Sequence, residues 1–358
     1  MTDVYKLYGA AISLYTGKAR AYLRYKNIPF IEEPGSREIF ERIGFRMVPV
    51  LHTPDDKLIQ DTSDIIDHIE KVRGGASVYP EGANQKLIAL LFEVYGDEWL
   101  VMPAMHYRWN YNLDYILEEF GKLVVPDASA AEQRKAGEKL SAAFRGSLPF
   151  LGVTDDTIPA IEACYEELLG QLNEHFKNHW YLFGTRPSIG DYGLMGPLYA
   201  HNFRDPASGD IMKRLAPNVV RWIDLMNTPA PNSGHFLTDD EVPETLIPIL
   251  KRIFSDCIPA MVDTIRANGE WIDENPDAKE LPGGIGEHTF QVGGVEGRRM
   301  IRPYNQWMFQ RPLDHYHSLE GADRQRADDI LRKVGGFDLM QTLIKHRLKR
   351  ANYKLVKQ

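Results

Sequence analysis

Hydrophobic and polar positions alternate most regularly in the first 75 residues. "VYKLY" (4–8) reads as a short strand. From Gly17 to about Asn27, Ala19, Tyr22, Leu23 and Tyr25 recur at helical spacing and predict a helix with one buried face. "IPFIEE" (28–33) is a second strand and "REIFERIG" a weak, short helix. "VPVLHT" and "KLIQ" then read as strands paired through a "PDD" turn, followed by a helix in which Ile65, Ile66 and Ile69 share a face. Gly74-Gly75 stops that helix. The predicted order is β-α-β-α-β-β-α.

"GGASVYPEGAN" reads as an exposed connection, and beyond residue 84 the pattern turns helical. Residues 85–122 predict an aromatic-rich pair of helices or one kinked helix, and polar, Ala-rich helical segments follow. In "YLFGTRPSIGDYGLMGPLYAHNF", Ser188 can cap a helix while Asp191 reaches back to its free amides. The section from about 240 to 358 begins helical, and Gly293-Gly294 between two β-capable runs predicts a hairpin. Two helices are expected to close the chain, the last being "LIKHRLKRANYKLVK". The expected division is 1–75, a linker at 76–84, an all-helical unit at 85–238, and an extension at 239–358.

Composition narrows the class. With 43% hydrophobic and 11% aromatic residues, the 358-residue chain is core-forming. Its 42 basic against 50 acidic residues give a net charge of −8, which disfavours nucleic acid as the main partner; the last predicted helix is the one local basic patch. Cys164 and Cys257 stand alone, so neither a disulfide framework nor a metal site is expected, and a reducing compartment fits. No secretory signal is visible and no apolar run approaches the roughly 20 residues of a membrane span. The expectation is a cytoplasmic protein with no membrane partner.

Three local features carry candidate chemistry. Ser13, Tyr15, Thr16 and Lys18 cluster where the first helix begins, either as an ordinary cap or as a site at a positive helix end. Pro49, between Val48 and Val50 at the start of a strand, means either an edge position or a cis peptide. A cis bond would leave the Val48 N–H and C=O free to pair with an extended ligand. Asp61-Thr62 precedes a helix, either as a plain N-cap or as a place where Asp61 meets an ammonium and Thr62 donates to a carboxylate.

Four stretches in order, "LYGAAISLYTGKARAYL", "MVPVL", "LIQDTSDIIDHIE" and "FGTRPSIGDYGLMGPLY", resemble the cytosolic glutathione transferase family. The resemblance covers roughly residues 4–225 and implies an α/β thioredoxin-like domain followed by an all-α helical bundle. The 239–358 extension is expected to be mostly helical with a small β-hairpin, and the resemblance assigns it no role. Glutathione is the implied co-substrate and a homodimer the implied assembly.

Residue by residue, Val48 resembles the backbone contact to the cysteinyl unit, with Pro49 as the cis-proline. Asp61 and Thr62 resemble the pair that holds the γ-glutamyl end. Arg37 and Arg46 are candidates for the glycyl carboxylate. Ser13 aligns with the family's catalytic Ser/Cys; Thr16, Tyr8 and Tyr15 are the alternatives. Leu14 replaces the usual proline and counts with the substrate pocket. The turn has no cysteine, which disfavours mixed-disulfide chemistry and favours activation of glutathione's own thiolate. A free thiol of pKa near ~8.5 needs about 1.4 kcal/mol of thiolate preference for each unit of lowering, which a hydroxyl donor can supply.

Met102, Met105, His106 and Trp109 share one helix face, as core packing or as an apolar pocket. On the pocket reading, Met105, His106 and Trp109 with Leu14 meet an apolar, aromatic electrophile. Aryl-ether cleavage is the most specific such reaction. The competing reading is a non-catalytic glutathione-binding or protein-interaction member of the same fold.

Overall fold

The computed structural model describes residues 4–358. The chain runs β1 (Tyr5–Tyr8), α1 (Leu14–Tyr25), β2 (Phe30–Glu33), α2 (Arg37–Ile43), β3 (Val50–His52), β4 (Leu58–Gln60) and α3 (Thr62–Val72). Its sheet has the order β2-β1-β3-β4, with β1 parallel to β2 and the other pairs antiparallel. The element order is the one the periodicity predicts, and the arrangement is the thioredoxin-like one that the resemblance implies. Helix α1 starts at Leu14, three residues ahead of the expected Gly17, because the Ser13 side chain caps it.

A helical region follows: α4 (Ala83–Val94), α5 (Val101–Tyr111), α6 (Leu113–Val124), α7 (Ala130–Arg145), α8 (Ile158–His175), α9 (Ile189–Pro197), α10 (Pro206–Leu215) and α11 (Pro217–Asn227). A π turn at Tyr95–Trp99 joins α4 to α5, its widened loop closed by Leu100 N–H donating to the Tyr95 carbonyl at 3.0 Å. Gly96 allows this turn to lie directly on α9, since a Cβ there would overlap the Gly193 carbonyl. The Ser188–Asp191 capping box forms as expected. Asp191 Oδ2 accepts from Ser188 N–H at 2.8 Å, and its other oxygen takes the Trp222 indole at 3.1 Å.

The remaining elements are α12 (Ile247–Arg252), α13 (Ile258–Glu274), the hairpin β5–β6 (Glu287–Val292, Val295–Met300), α14 (Pro303–Ser318), α15 (Gly321–Val334), and a second hairpin β7–β8 (Leu348–Ala351, Lys354–Lys357). The first hairpin turns at Gly293-Gly294, both at positive φ. The second corrects the expectation of a basic last helix. Asn352 and Tyr353 both adopt positive φ, which suits a tight hairpin turn and would break a helix. Several basic residues there are paired, Arg347 with Asp314, Arg350 with Asp64 and Lys354 with Glu280. Met308, Phe309, Leu313, Tyr316 and Leu331 share one continuous core with α4, α8 and α9, so the late helices are built into the body of the protein.

Candidate functional site

One cavity of about 150 Å³ gathers the informative residues. Val48 and Pro49 form one wall, Gln60, Asp61 and Thr62 a second, Tyr15 from α1 a third, and Asp97 and Glu98 of the π turn the floor. Arg302, Tyr304, Arg350, Tyr353 and Leu355 close it from the far end of the chain. It is small beside the roughly 300–1,000 Å³ of ordinary ligand pockets.

The Val48–Pro49 peptide is cis. Among the described residues, the Val48 N–H and C=O have no hydrogen-bond partner, because the β3 ladder begins only at Val50. Asp61 caps α3, its Oδ1 accepting from Ser63 N–H at 2.8 Å and Asp64 N–H at 3.4 Å. Its backbone sits at φ 90°, a region costly for any side-chain-bearing residue, at on the order of 1–3 kcal/mol. Asp61 Oδ2 accepts from the Tyr304 hydroxyl. Thr62 is buried, and its amide and hydroxyl make no hydrogen bond to another described residue, leaving two donors at the positive end of α3.

The expected thiol activators separate. Ser13 Oγ accepts from Thr16 N–H at 3.3 Å, while its own proton has no acceptor among the described residues. Thr16 is fully buried and accepts from Ala10 N–H at 3.4 Å. Tyr8 does not line the cavity but belongs to a small cluster with Ile39, Ile43 and Val50, against which the cavity residues Phe45 and Tyr353 pack. Tyr15 alone of the four lines the cavity and donates to the Asp97 carbonyl at 2.9 Å. Burial, then the Glu98 carboxylate, hold its phenol well above the ordinary value, so it is a neutral donor.

Several assignments are corrected. Arg37 is exposed and pairs with Glu41 one helical turn on, and Arg46 is exposed; neither lines the cavity. Leu14 packs against Gly196 of α9. Met105 and Trp109 are buried in the core, with the Trp109 ring 5.8 Å from Phe120. His106 is held between Glu162 at 2.9 Å and Asn110 at 2.8 Å. The shared face of α5 is thus core, and the aromatic-pocket expectation loses the residues it rested on.

Sequence reasoning missed the floor and the lid. Arg350 donates to the Gln60 carbonyl at 2.7 Å and to the Asp64 carboxylate, with its guanidinium over Trp307. Tyr353 donates to the Leu58 carbonyl at 3.2 Å. Beneath α1, the fully buried Lys18 ammonium lies 2.9 Å from Glu93 Oε1 and 2.6 Å from Asp97 Oδ2. One cation cannot satisfy both carboxylates equally. Glu93 also has Ser63 at 2.7 Å and Arg311 at 3.6 Å, and stays ionised with its carboxyl lowered. Among the described residues the Asp97 side chain has only Lys18 as a partner, and burial raises its carboxyl well above the ordinary range. Arg108 secures the turn before α1, donating to the Ile12 carbonyl at 2.8 Å while paired with buried Asp205. No group of three or more His, Cys, Asp or Glu side chains among the described residues is placed to hold a metal. No described helix is long and apolar enough to cross a membrane.

A thioredoxin-like sheet is followed by a helical bundle, and the free Val48 backbone stands beside the start of α3. The Glutathione S-transferase, N-terminal domain model matches residues 7–77, and the Glutathione S-transferase, C-terminal domain model matches residues 155–225. Residues 7–77 and 155–225 are thus similar to the two domains of glutathione S-transferases, in the order in which that family carries them. No curated protein matches the sequence. Among solved structures, beta-etherase LigF from Sphingobium sp. is 20% identical, with 64% of this chain and 96% of that chain covered at a TM-score of 0.45. The Ceriporiopsis subvermispora glutathione S-transferase, solved in complex with glutathione, is 15% identical, covering 64% and 100% at 0.41. A GST-like protein from Pseudomonas syringae is 17% identical, covering 62% and 65% at 0.42.

Proposed function

We propose that the protein is a glutathione-dependent transferase whose cavity presents the tripeptide's thiolate to a small electrophile. The observation that carries this reading is the convergence of three recognition groups on one cavity: the free backbone of Val48, the Asp61 carboxylate, which already accepts from Ser63, Asp64 and Tyr304, and the Thr62 donors at the start of α3, unpartnered among the described residues. They match an extended peptide's amide, its α-ammonium and its α-carboxylate in turn. In this reading Ser13 is the thiolate's donor. Its oxygen accepts the Thr16 amide and its proton has no acceptor among the described residues, which supports a donor role at the positive end of α1, although Tyr15 and not Ser13 lines the cavity itself.

Titrating the thiolate absorbance of bound glutathione in wild type and Ser13→Ala tests this. The variant should raise the bound thiol's pKa by about one unit, the effect of roughly 1.4 kcal/mol of lost preference. An unchanged thiol pKa would move the donor role to Tyr15 or the backbone, and absence of calorimetric glutathione binding would end the transferase reading.

One observation favours a second reading, a non-catalytic member of the fold. Tyr304 already bonds Asp61, and the closing residues leave little room. Glutathione bound with an ordinary thiol pKa would support it.

A further inference from the structure

The π turn places one carboxyl group in an unusual position. Glu98 is 1% exposed, lines the cavity, and receives no hydrogen bond on its side chain from any described residue. The nearest cation, Arg302, stands 3.7 Å away, and its guanidinium makes no hydrogen bond to another described residue. A buried carboxylate without donors is costly, whereas a neutral carboxyl is an O–H donor aimed at whatever enters. The groups facing Glu98 are Asp61, Asp97, Tyr15, Tyr304 and the cations Arg302, Arg299 and Lys18. Burial, aided by Asp61, outweighs those cations and pushes the Glu98 carboxyl up to about 7.

We propose that Glu98 is a general acid in this cavity, protonating the oxygen that leaves the electrophile as the glutathione sulfur attacks carbon. The inference rests on the transferase reading and deepens it. The sulfur lone pair forms the C–S bond, and the C–O bonding pair leaves on oxygen. That oxygen takes the Glu98 proton. The carboxylate left behind faces Arg302, which stabilises it until solvent returns the proton released when the thiol ionised. Without the acid, an alkoxide would have to leave into a desolvated cavity.

Two small probes with the same attack on saturated carbon isolate the step. Iodomethane expels iodide, which needs no proton, and propylene oxide expels an alkoxide, which does. In Glu98→Gln the ratio of kcat/KM for propylene oxide to that for iodomethane should fall about 100-fold. Wild-type epoxide turnover should decline as pH rises through the Glu98 titration, and Glu98→Asp should keep that limb while Glu98→Gln loses it. An unchanged ratio, or a wild type that alkylates glutathione with iodomethane but leaves the epoxide untouched, overturns the proposal. Glutathione calorimetry on each variant reports folding of the site, with Glu98→Asp carrying the comparison if Glu98→Gln does not bind. Wild type that binds no glutathione, or turns over neither probe, refutes the transferase reading itself and the Glu98 role with it.

Discussion

Replacing Lys18 by methionine removes the single ammonium between two buried carboxylates while keeping most of the side-chain volume. Lys18 is fully buried, and its partners Glu93 and Asp97 are nearly so. Breaking a buried ion pair from one side costs about 3–5 kcal/mol, because a charge is left without a partner. The loss falls unequally. Glu93 keeps the Ser63 hydroxyl and Arg311, whereas Asp97 loses its one side-chain partner. The Asp97 carboxyl, already raised by burial, rises further without Lys18. A carboxyl raised in the folded state binds more protons folded than unfolded, so stability falls as pH climbs from the ordinary aspartate range through the raised value. The Lys18 group is itself raised, so its contribution persists below the ordinary lysine value and is lost only above it. Urea unfolding followed by tryptophan fluorescence between about pH 5 and 9 should therefore show a deficit that is smallest in acid and grows toward alkaline pH. Lys18→Met with Asp97→Asn should recover part of it. A deficit below about 1 kcal/mol, or one independent of pH, would refute the assignment of Lys18 as the sole counter-charge of Asp97.

Asp61→Asn keeps a side-chain oxygen to cap α3 but removes the negative charge offered to an ammonium. Glutathione dissociation constants from calorimetry should rise about 10- to 100-fold, the loss of a charge-assisted bond of roughly 1.5–3 kcal/mol, and stability should fall by about 1–3 kcal/mol because the Tyr304 hydroxyl loses its acceptor. Gly137→Ala should destabilise the α6–α7 pair by about 1–3 kcal/mol, because a Cβ there would overlap the Leu117 carbonyl. The expected readout is a lower melting temperature with faster proteolysis within 113–145.

What was legible in the chain was mostly local. The Gly293-Gly294 turn, the Ser188–Asp191 box and the strand-helix alternation of the first 75 residues rest on contacts a few positions apart, which residue type and period encode directly. The face shared by Met105, His106 and Trp109 was legible as buried, but periodicity does not distinguish burial in a core from burial around a cavity. The basic run around Arg350 looked helical because its apolar spacing is ambiguous, and Asn352-Tyr353 carries a weaker turn signal than a glycine pair. Glu98, Arg302 and Tyr304 were invisible for another reason. Each acquires meaning only beside Asp61 or Tyr15, and nothing in a single sequence joins positions that far apart.

The Arg350 contact with Gln60 spans 290 positions. The cavity cannot be complete before residue 355 has been synthesised, although the sheet that supplies its first wall is finished by residue 60. Long-range closure of this kind is slow relative to local folding, so the sheet and α3 can form well before the cavity is enclosed. The wall contributed by the last hairpin is the part of the cavity that forms last, and the one a C-terminal truncation would remove.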